Sequence, residues 1–311
     1  MSLLIIGGVT IDILHLPGRT DPITAVGGAG MYTALAAHRV CAAHRTPSAN
    51  APTPFDYVKP LSFETRTPLR VLPNHQRETE TPVTLFAQRP HPLPDILQPI
   101  AQTLNWIGPV ITPDELPRLE IAHYGGGKAA LLNAQWGAQA TLTPDALPED
   151  LSRFDWIHLA VMVSPQRQLE FLDVCRTRSH AQISAGTNGK NAHGEPEKVR
   201  ELIRRTDLFF MNENEANALF GGVENARAEP GKRLMITLGE RGAWILEGDS
   251  RTHLPAFPVS EVDPTGAGDT FCGATLAGLA NGLDAVSAAR AGIQLAGETI
   301  QAVGPERLWK L

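Results

Sequence analysis

The sequence is poor in cysteine and contains no long hydrophobic run. Its cysteines are scattered, without the spacing of a disulfide framework or a zinc site (Cys41, Cys175 and Cys272). We therefore expect a reducing, cytoplasmic location, no structural disulfide and no zinc site. No apolar stretch approaches the roughly 20 residues that a membrane-spanning helix requires. Residues 1–14, MSLLIIGGVTIDIL, lack the basic stretch of a signal peptide and predict a first β-strand instead.

Positive charge is scarce as well. Lysine and arginine number 27 against 33 aspartates and glutamates, which gives a formal net charge of -6. This balance provides no general electrostatic attraction to nucleic acid or to an anionic membrane. With 311 residues and 42% hydrophobic composition, the chain is long and apolar enough to form one α/β domain, which we place at residues 1–311.

Apolar strands and amphipathic helices alternate regularly from Trp156 onward. Predicted strands such as WIHLAVM (156–162) and DLFFM (207–211) are each followed by a predicted helix, and two helices close the chain between about 269 and 302. Near-continuous apolar strands of this kind belong in a mainly parallel sheet that helices cover on both faces. The sequence therefore predicts an α/β fold.

The second quarter of the chain has a different composition. Residues 46–82 contain seven prolines and cannot form a long helix. Thr- and Val-rich pieces within 64–88 are compatible with a hairpin. Residues 83–87 (VTLFA) predict a strand, and residues 116–137 predict two strands around a glycine-rich turn.

The segment VDPTGAGDTFCGA (262–274) leaves its backbone uncovered immediately before a helix. The N–H groups of Gly266, Ala267 and Gly268 are unobstructed, and the helix N-terminus adds partial positive charge, so this loop can hold an anion. Asp269 lies in the predicted first turn. The alternative is structural, because aspartate favours any helix N-terminus and glycines favour a tight turn. Both interpretations are open at this point.

The common phosphate-binding loops are absent from the sequence. The pair Gly266 and Gly268 is followed by Phe271 where the GxGxxG motif requires glycine, and GxxxxGK[ST] does not occur. A dehydrogenase and a P-loop NTPase are therefore disfavoured. The histidines show no metal-ligand spacing, and we interpret His123 and His158, which lie in apolar strands, as core or edge residues.

Two further motifs follow predicted strands. NENE (212–215) places Asn212 and Glu215 where open α/β sheets bind ligands, so that they could order magnesium-bound water around a triphosphate. The same pattern is also a helix capping box. ITLGERGA (236–243) ends a strand and turns through Gly239 and Gly242, which need be no more than turn residues.

Two motifs near the N-terminus are equally ambiguous. VGGAGMY (26–32) opens the first helix with Gly27 and Gly28, which provide either close helix packing or a backbone-lined floor for a substrate. Asp12 follows the first strand and is either a solvated carboxylate or a ligand-binding group.

Taken in order, VGGAGMY, NENEANALFG, ITLGERGA and DPTGAGDTFCGA resemble the motifs of the ribokinase or PfkB-type carbohydrate kinases. The resemblance is good over 1–40 and 150–311 and loose over 41–130. It implies a ribokinase-like, doubly wound α/β fold with a small β lid, whose elements we place at about 13–26 and 117–134. It also implies transfer of the γ-phosphoryl group of ATP to a hydroxyl of a small-molecule sugar or sugar acid, with magnesium, and a homodimer that forms through the lid.

The resemblance gives each motif a role. Asp269 would take the proton from the acceptor hydroxyl while the N–H groups of Gly266, Ala267 and Gly268 hold charge on the transferred phosphoryl group. The other implied roles are nucleotide binding by Asn212, Glu215, Thr237, Gly239 and Gly242, with Glu215 reaching magnesium through water; acceptor binding by Asp12, Gly27, Gly28 and Tyr32; and a potassium-binding loop at Asp263 and Thr265.

Three departures from the family pattern affect these expectations. Tyr32 stands where the family usually has asparagine, and its ring could stack on a sugar face or a base. Gly186 stands where members often have aspartate, and residues 41–82 form a long proline-rich insertion or an extra lid element. Tyr32 therefore favours a nucleoside kinase as one alternative. Together, Tyr32 and Gly186 leave open a regulatory protein that binds nucleotide or sugar without turnover.

Overall fold

The computed structural model describes residues 2–45, 82–126 and 128–309. Strands within these residues are β1 (Leu3–Ile6), β2 (Thr10–His15), β3 (Ile23–Gly27), β4 (Val83–Phe86), β5 (Arg89–Pro90), β6 (Asn105–Ile107), β7 (Val110–Ile111), β8 (Arg118–Gly125), β9 (Lys128–Gln135), β10 (Trp156–Leu159), β11 (Gln182–Gly186), β12 (Leu208–Asn212), β13 (Arg233–Thr237), β14 (Ala243–Glu247) and β15 (Ser250–Leu254). Helices are α1 (Ala29–Arg45), α2 (Gln98–Thr103), α3 (Pro165–Arg178), α4 (Gly189–Gly194), α5 (Pro196–Arg205), α6 (Glu213–Phe220), α7 (Ala267–Ala280), α8 (Ala285–Thr299) and α9 (Glu306–Trp309).

One large sheet organises the molecule. Its order within the described residues is β15-β14-β13-β12-β11-β10-β1-β4-β6. All neighbours from β13 to β6 are parallel, whereas β14 and β15 add antiparallel strands at one edge. The predicted mainly parallel sheet is therefore confirmed, and the carboxyl ends of its parallel strands open at one edge, where such sheets bind ligands.

Helices cover both faces of this sheet. Leu3 and Ile5 of β1 pack into one hydrophobic cluster with residues of α1, α7 and α8. Leu4 and Ile6 pack into the other cluster with residues of α3, α5 and α6. Side chains that alternate along a strand point to opposite faces, so an unbroken apolar run such as LLII satisfies two cores at once.

Capping residues define the helix ends, and they include the predicted cap Gly221. Ser164 caps α3 by accepting a hydrogen bond from the N–H of Arg167, and Pro165 follows at the first helical position, where a missing N–H costs nothing. Gly221 ends α6 in the left-handed conformation, with φ of 72°. These local signals fix where the strand-to-helix turns fall.

A second sheet lies beside β1, in the order β3-β2-β8-β9 within the described residues. The pairs β2–β3 and β8–β9 are antiparallel, and β2 and β8 are parallel. The predicted lid segments 13–26 and 117–134 contribute strands to this second sheet. A separate parallel pair, β5 and β7, completes the strands described.

The predicted insertion at 41–82 needs one correction. Helix α1 continues to Arg45, so the first residues of that range are helical. Residues 46–81, and with them most of the expected hairpin within 64–88, lie outside the described residues. Among the residues described, no helix combines the length and hydrophobicity needed to cross a bilayer.

Helices α1 and α7 approach closely because glycines line their contact. A Cβ atom at Gly273 of α7 would overlap the carbonyl oxygen of Thr33 in α1. A Cβ atom at Gly30 would lie 2.7 Å from the backbone of Gly7, just after β1. The N-terminus of α1 is thereby held against the residues that follow β1, and α7 is held against α1.

We expect the substitution Gly273→Ala to lower the free energy of unfolding by about 1–3 kcal/mol, because the new methyl group must push two backbones apart. Chemical denaturation measures the change. Gly268→Ala is the matched control in the same helix, since a methyl group there meets no atom within 4 Å. Equal stability of the two variants would contradict the packing described.

Candidate active site

A cleft of about 350 Å³ opens at the carboxyl edge of the large sheet. Thr237, Asn212 and Gly186, which end the adjacent strands β13, β12 and β11, line it in sheet order. We call Thr187, Asn188, Asn212, Glu215 and Thr237 the β13 end, and Gly8, Thr10, Gly28, Leu119, Trp136 and Gln139 the β1 end. Adjacent strands are spaced by about 4.8 Å, so the four spacings from β13 to β1 cover about 19 Å, enough for two ligands placed end to end.

The N-terminus of α7 supplies the predicted anion loop. Gly266 precedes the helix with φ of 74°, and a Cβ atom there would overlap the ring of Tyr32, so this position requires glycine. Gly268 and Asp269 line the cleft.

The structure changes which amides of this loop face the cleft. The N–H of Ala267 donates to the carbonyl of Pro264 (3.2 Å) and is therefore occupied, contrary to the prediction. Among the described residues, the N–H groups of Gly266, Gly268 and Asp269 have no backbone acceptor, and of these three residues Gly268 and Asp269 line the cleft. The positive end of α7 is thus presented by Gly268 and Asp269.

Asp269 lies in the first turn of α7 and is partly exposed to the cleft. Burial of its carboxyl group raises its pKa from 3.8 to about 7. A carboxylate with a pKa near neutrality has the proton affinity that a general base requires. Glu215 has a similar pKa, but both of its carboxylate oxygens accept hydrogen bonds from Asn212, so we take Asp269 as the candidate for a reacting group in the cleft.

Asn212 and Glu215 form the predicted capping box and also line the cleft. The side-chain oxygen of Asn212 accepts the N–H of Glu215 (3.0 Å), and the Glu215 carboxylate accepts the N–H of Asn212 (2.8 Å), which is a capping box. Both residues also line the cleft. Burial, with a smaller contribution from nearby Asp269, raises the pKa of Glu215 to about 7.

The predicted glycine turn lies apart from the cleft. Thr237 lines the cleft, but Gly239 and Gly242 are not among its lining residues. The carbonyl of Gly242 accepts the N–H of Leu238 (2.7 Å), and the N–H of Gly242 donates to the carbonyl of Gly239 (3.0 Å). These hydrogen bonds make the two glycines turn residues, and their predicted contact with a nucleotide stays a prediction.

Asp12 is buried on β2 in the second sheet, behind the β1 end of the cleft. Thr10, which lines the cleft, donates its hydroxyl to Asp12 Oδ1 (2.6 Å). The carboxyl group packs directly on Gly27, where a Cβ atom would overlap it. Burial raises the pKa of Asp12 to about 6. Of the residues predicted to bind the acceptor, Gly28 lines the cleft, whereas Asp12 and Gly27 form its backing.

Tyr32 does not face the cleft, which corrects the prediction that its ring contacts a ligand. Its side chain is 1% exposed, and its ring supports Gly266 at the start of α7. Burial, followed by the charges of Asp263, Asp12 and Asp269, holds the pKa of Tyr32 well above its ordinary value. The ring is a neutral scaffold for the anion loop.

Asp263 and Thr265 are tied to each other and to the second sheet. Asp263 accepts the N–H of Thr265 (3.0 Å) and the N–H of Gly304 (2.8 Å). His123 of β8 lies 2.9 Å from the hydroxyl of Thr265 and 3.5 Å from Asp263 Oδ1. The residues predicted to hold potassium therefore connect the anion loop to the second sheet, and His123 is a core residue as expected.

Several lining residues were missed by sequence reasoning. Thr187 and Asn188 follow β11, so the rule that identified Asn212 after β12 would have found them. Nothing local distinguishes Trp136 or Gln139, which reach the cleft from the turn after β9.

His158 was also not predicted as a cleft residue, because it is buried and yet lines the cleft. Its Nδ1 lies 2.9 Å from Ser184 Oγ, and its Nε2 lies 3.5 Å from the thiol of Cys272. Burial lowers the pKa of His158 to about 3, so the ring is neutral. The expectation of a core histidine holds, but the strand also brings it to the cleft.

Comparison with known proteins gives a consistent result. The family described as pfkB family carbohydrate kinase matches residues 108–310. A cytidine kinase of Thermococcus kodakarensis is 26% identical over 217 residues, which is 67% of this chain and 77% of that protein. A ribokinase of Bacillus subtilis is 39% identical over 93 residues, 29% of this chain and 32% of that protein.

Solved structures share the fold over nearly the whole length. A ribokinase from Cryptococcus neoformans in complex with ADP aligns with a TM-score of 0.71 at 19% identity, covering 99% of this chain and 96% of that one. A nucleoside kinase from Burkholderia thailandensis in complex with inosine aligns with a TM-score of 0.71 at 16% identity, covering 98% and 93%. At these identities the likeness establishes a ribokinase-like fold.

The raised pKa of Asp269 has a consequence for stability. Because the folded state binds this proton more tightly than the unfolded chain, ionisation destabilises the fold progressively as the pH rises from about 4 to 7. We expect Asp269→Asn to unfold at a higher temperature than the wild type at pH 8, by about 2 kcal/mol in free energy, with the difference shrinking towards pH 4. Thermal denaturation across this range measures it.

Asp284→Asn is the matched control, since Asp284 caps the adjacent helix α8 by accepting the N–H of Ser287 (2.9 Å). Its pKa is lowered, so the same substitution should be mildly destabilising, to the same extent at pH 5 and at pH 8. A pH-independent effect of Asp269→Asn would contradict the burial of an ionisable carboxyl group.

Proposed function

The chain belongs to the pfkB family of carbohydrate kinases, which are phosphotransferases with an alcohol group as acceptor, and we propose that Asp269 is its catalytic base. One observation carries the proposal: a carboxyl group with a pKa of about 7 lines the cleft beside the N-terminus of a 14-residue helix. We take the donor to be ATP and the acceptor to be a hydroxyl of a sugar or sugar acid.

In the proposed reaction, Asp269 removes the proton of the acceptor hydroxyl as its oxygen attacks the γ-phosphorus. The new O–P bond forms while the bond between the γ-phosphorus and the bridging oxygen breaks, and ADP leaves with that electron pair. The N–H groups of Gly268 and Asp269, together with the positive end of α7, stabilise the charge on the transferred group. Asp269 then releases its proton to solvent. Positioning and electrostatics supply most of the catalysis in this chemistry.

The β13 end of the cleft suits a nucleotide triphosphate with magnesium. Magnesium prefers oxygen ligands and is often held mainly by phosphates and water. Within the described residues, no group of three or more histidine, cysteine, aspartate or glutamate side chains could hold a metal. Asn212 and Glu215 fit contact through water, because their oxygens already accept N–H bonds yet retain free lone pairs. When bound, magnesium would neutralise phosphate charge there.

The Asp263 loop fits potassium less well. Both oxygens of Asp263 accept backbone N–H bonds, and His123 occupies the space beside Oδ1. These contacts order the anion loop without a metal ion, so we assign no step to potassium.

The alternatives differ in their support. A nucleoside kinase was favoured by Tyr32, and that argument fails because Tyr32 is buried. A regulatory protein without turnover is disfavoured, because Asp269 keeps both its place in the cleft and the proton affinity of a base.

We expect Asp269→Asn to lower kcat by about 10²- to 10⁴-fold, because a positioned base contributes that much. Coupled detection of ADP release, with sugars, sugar acids and nucleosides as acceptors, measures it. The wild-type kcat/KM should fall below about pH 7, as Asp269 becomes protonated. Asp284→Asn removes a carboxylate outside the cleft and should retain full activity. Turnover of Asp269→Asn within tenfold of the wild type would exclude Asp269 as the base.

We further propose that the second sheet mediates a homodimer. Strand β9 is an edge strand, and Tyr124, Leu131 and Leu132 on β8 and β9 are 65%, 53% and 53% exposed. Exposed apolar residues on an unpaired edge favour association.

Leu131→Lys should therefore shift the mass measured by light scattering from dimer to monomer. Val110→Lys is the control, because Val110 is even more exposed (69%) but lies on β7, outside the second sheet. A monomeric wild type, or dissociation by both variants alike, would contradict an interface at this sheet.

A further inference from the structure

We propose that Gln139 selects the acceptor, and that this acceptor is an uncharged polyhydroxy compound with an apolar face, such as a neutral sugar, a cyclitol or the ribose of a nucleoside. The inference rests on the proposed function, since it assigns the β1 end of the cleft to the acceptor. Neither Gln139 nor its neighbour Trp136 belongs to the motifs from which the sites were predicted.

The side-chain amide of Gln139 is buried, but its hydrogen bonding is incomplete. The side chain is 8% exposed and lines the β1 end, and its Oε1 atom has no hydrogen-bond partner among the described residues. A buried carbonyl oxygen without a partner is unfavourable, and a ligand hydroxyl would remove that penalty. An amide also carries N–H donors, so it can pair with two adjacent hydroxyl groups, accepting from one and donating to the other.

The position of this amide is fixed by the backbone around it. Gln139 lies in a short 3₁₀ turn, Gly137–Thr141, directly after β9. Buried Gln88 donates to the carbonyl of Ala138 in that turn (2.6 Å). The amide of Gln139 rests on Gly8, where a Cβ atom would lie 2.6 Å from its nitrogen and oxygen. An amide held in this way binds a hydroxyl without first losing rotational freedom.

The other groups at the β1 end explain why the acceptor is neutral. Within the described residues, Gly8, Thr10, Gly28, Leu119 and Trp136 complete this end with Gln139, and none is charged. No cationic side chain is among these lining residues, and Lys190 approaches this end only at the ring of Trp136, so a carboxylate or phosphate held by Gln139 and Thr10 would be desolvated without a direct cationic partner, which is strongly unfavourable. The Thr10 hydroxyl, which donates to Asp12, retains lone pairs that accept from a ligand hydroxyl.

Trp136 provides the apolar face. Its ring is partly exposed and lines the cleft, three residues before Gln139. The Nζ atom of Lys190 lies 6.0 Å from the ring centroid, at the outer limit of a cation–π contact. A ring beside a hydrogen-bonding amide recognises a molecule that has C–H groups on one side and hydroxyls on another, which is the shape of a neutral sugar or cyclitol.

The test replaces Gln139 by methionine, which has a similar volume and no hydrogen-bonding amide. The neutral acceptors tested are free sugars, cyclitols and nucleosides, so the assay shows which of these three classes provides the hydroxyl groups. Each sugar is compared with its sugar acid and its sugar phosphate. We expect kcat/KM for the preferred neutral acceptor to fall about tenfold or more in Gln139→Met, with an unchanged KM for ATP. Thermal stability without ligand should be equal or higher, because a buried unsatisfied amide is removed.

Gln168→Met is the matched control. Gln168 is 0% exposed and also has an unpartnered Oε1, but its Nε2 donates to the carbonyls of Leu159, Ala160 and Gly186. This variant should lose stability and keep its acceptor KM, the opposite of Gln139→Met. Replacing the acceptor by its deoxy analogues should lower kcat/KM in the wild type but not further in Gln139→Met for the hydroxyl that the amide contacts.

Binding of the same compounds, followed by Trp fluorescence and by calorimetry, separates this inference from the proposed function. Binding of neutral polyols that weakens about tenfold in Gln139→Met but not in Gln168→Met would support the inference, even if no compound were phosphorylated and the proposed function failed. Preference for a sugar acid or a sugar phosphate, or unchanged acceptor binding in Gln139→Met, would overturn it and leave the kinase assignment standing.

Discussion

The whole site depends on how closely α1 packs on the end of β1 and α7 packs on α1. Gly30 of α1 rests on Gly7, and Gly273 of α7 rests on Thr33 of α1. A side chain at Gly30 or Gly273 would collide with the neighbouring backbone and push α1 away from β1 or α7 away from α1. Because of this packing, the ring of Tyr32 lies directly under Gly266, and the first turn of α7 faces the cleft. The partial positive charge of the helix and the carboxyl group of Asp269 are therefore held in place by the packing of α7 on α1.

This arrangement places carboxyl groups where burial opposes their ionisation. Asp12, Glu215 and Asp269 all have raised pKa values, and in each case burial is the largest cause. Their ionised forms reduce stability at neutral pH. The two hydrophobic clusters that fill both faces of the sheet offset this cost. Because these carboxyl groups are already desolvated, little solvent has to reorganise around them when a phosphate and its counter-ion bind and react.

The sequence predicted the parts of this structure that depend on local chemistry. Continuous apolar strands such as LLII, the cap at Gly221 and the capping box of Asn212 and Glu215 all follow from short-range rules. Tyr32 was misassigned because its environment is set by α7, more than 230 residues later in the chain. Gln139 was missed because its place in the cleft depends on its contact with Gly8, 131 residues earlier in the chain. Residues placed by long-range packing are invisible to patterns that extend over a few residues.

The two ends of the cleft differ in charge. The β13 end contains the Glu215 carboxylate, the amides of Asn188 and Asn212 and the N-terminus of α6, which suits phosphate and metal, whereas the residues that line the β1 end are uncharged. Leu119 of β8 lines the β1 end, and His123, four residues further along the same strand, contacts Thr265 in the anion loop. The same strand therefore borders the β1 end of the cleft through Leu119 and contacts the segment before α7 through His123. Its position bears both on the space at the β1 end and on the order of the turn that precedes Asp269.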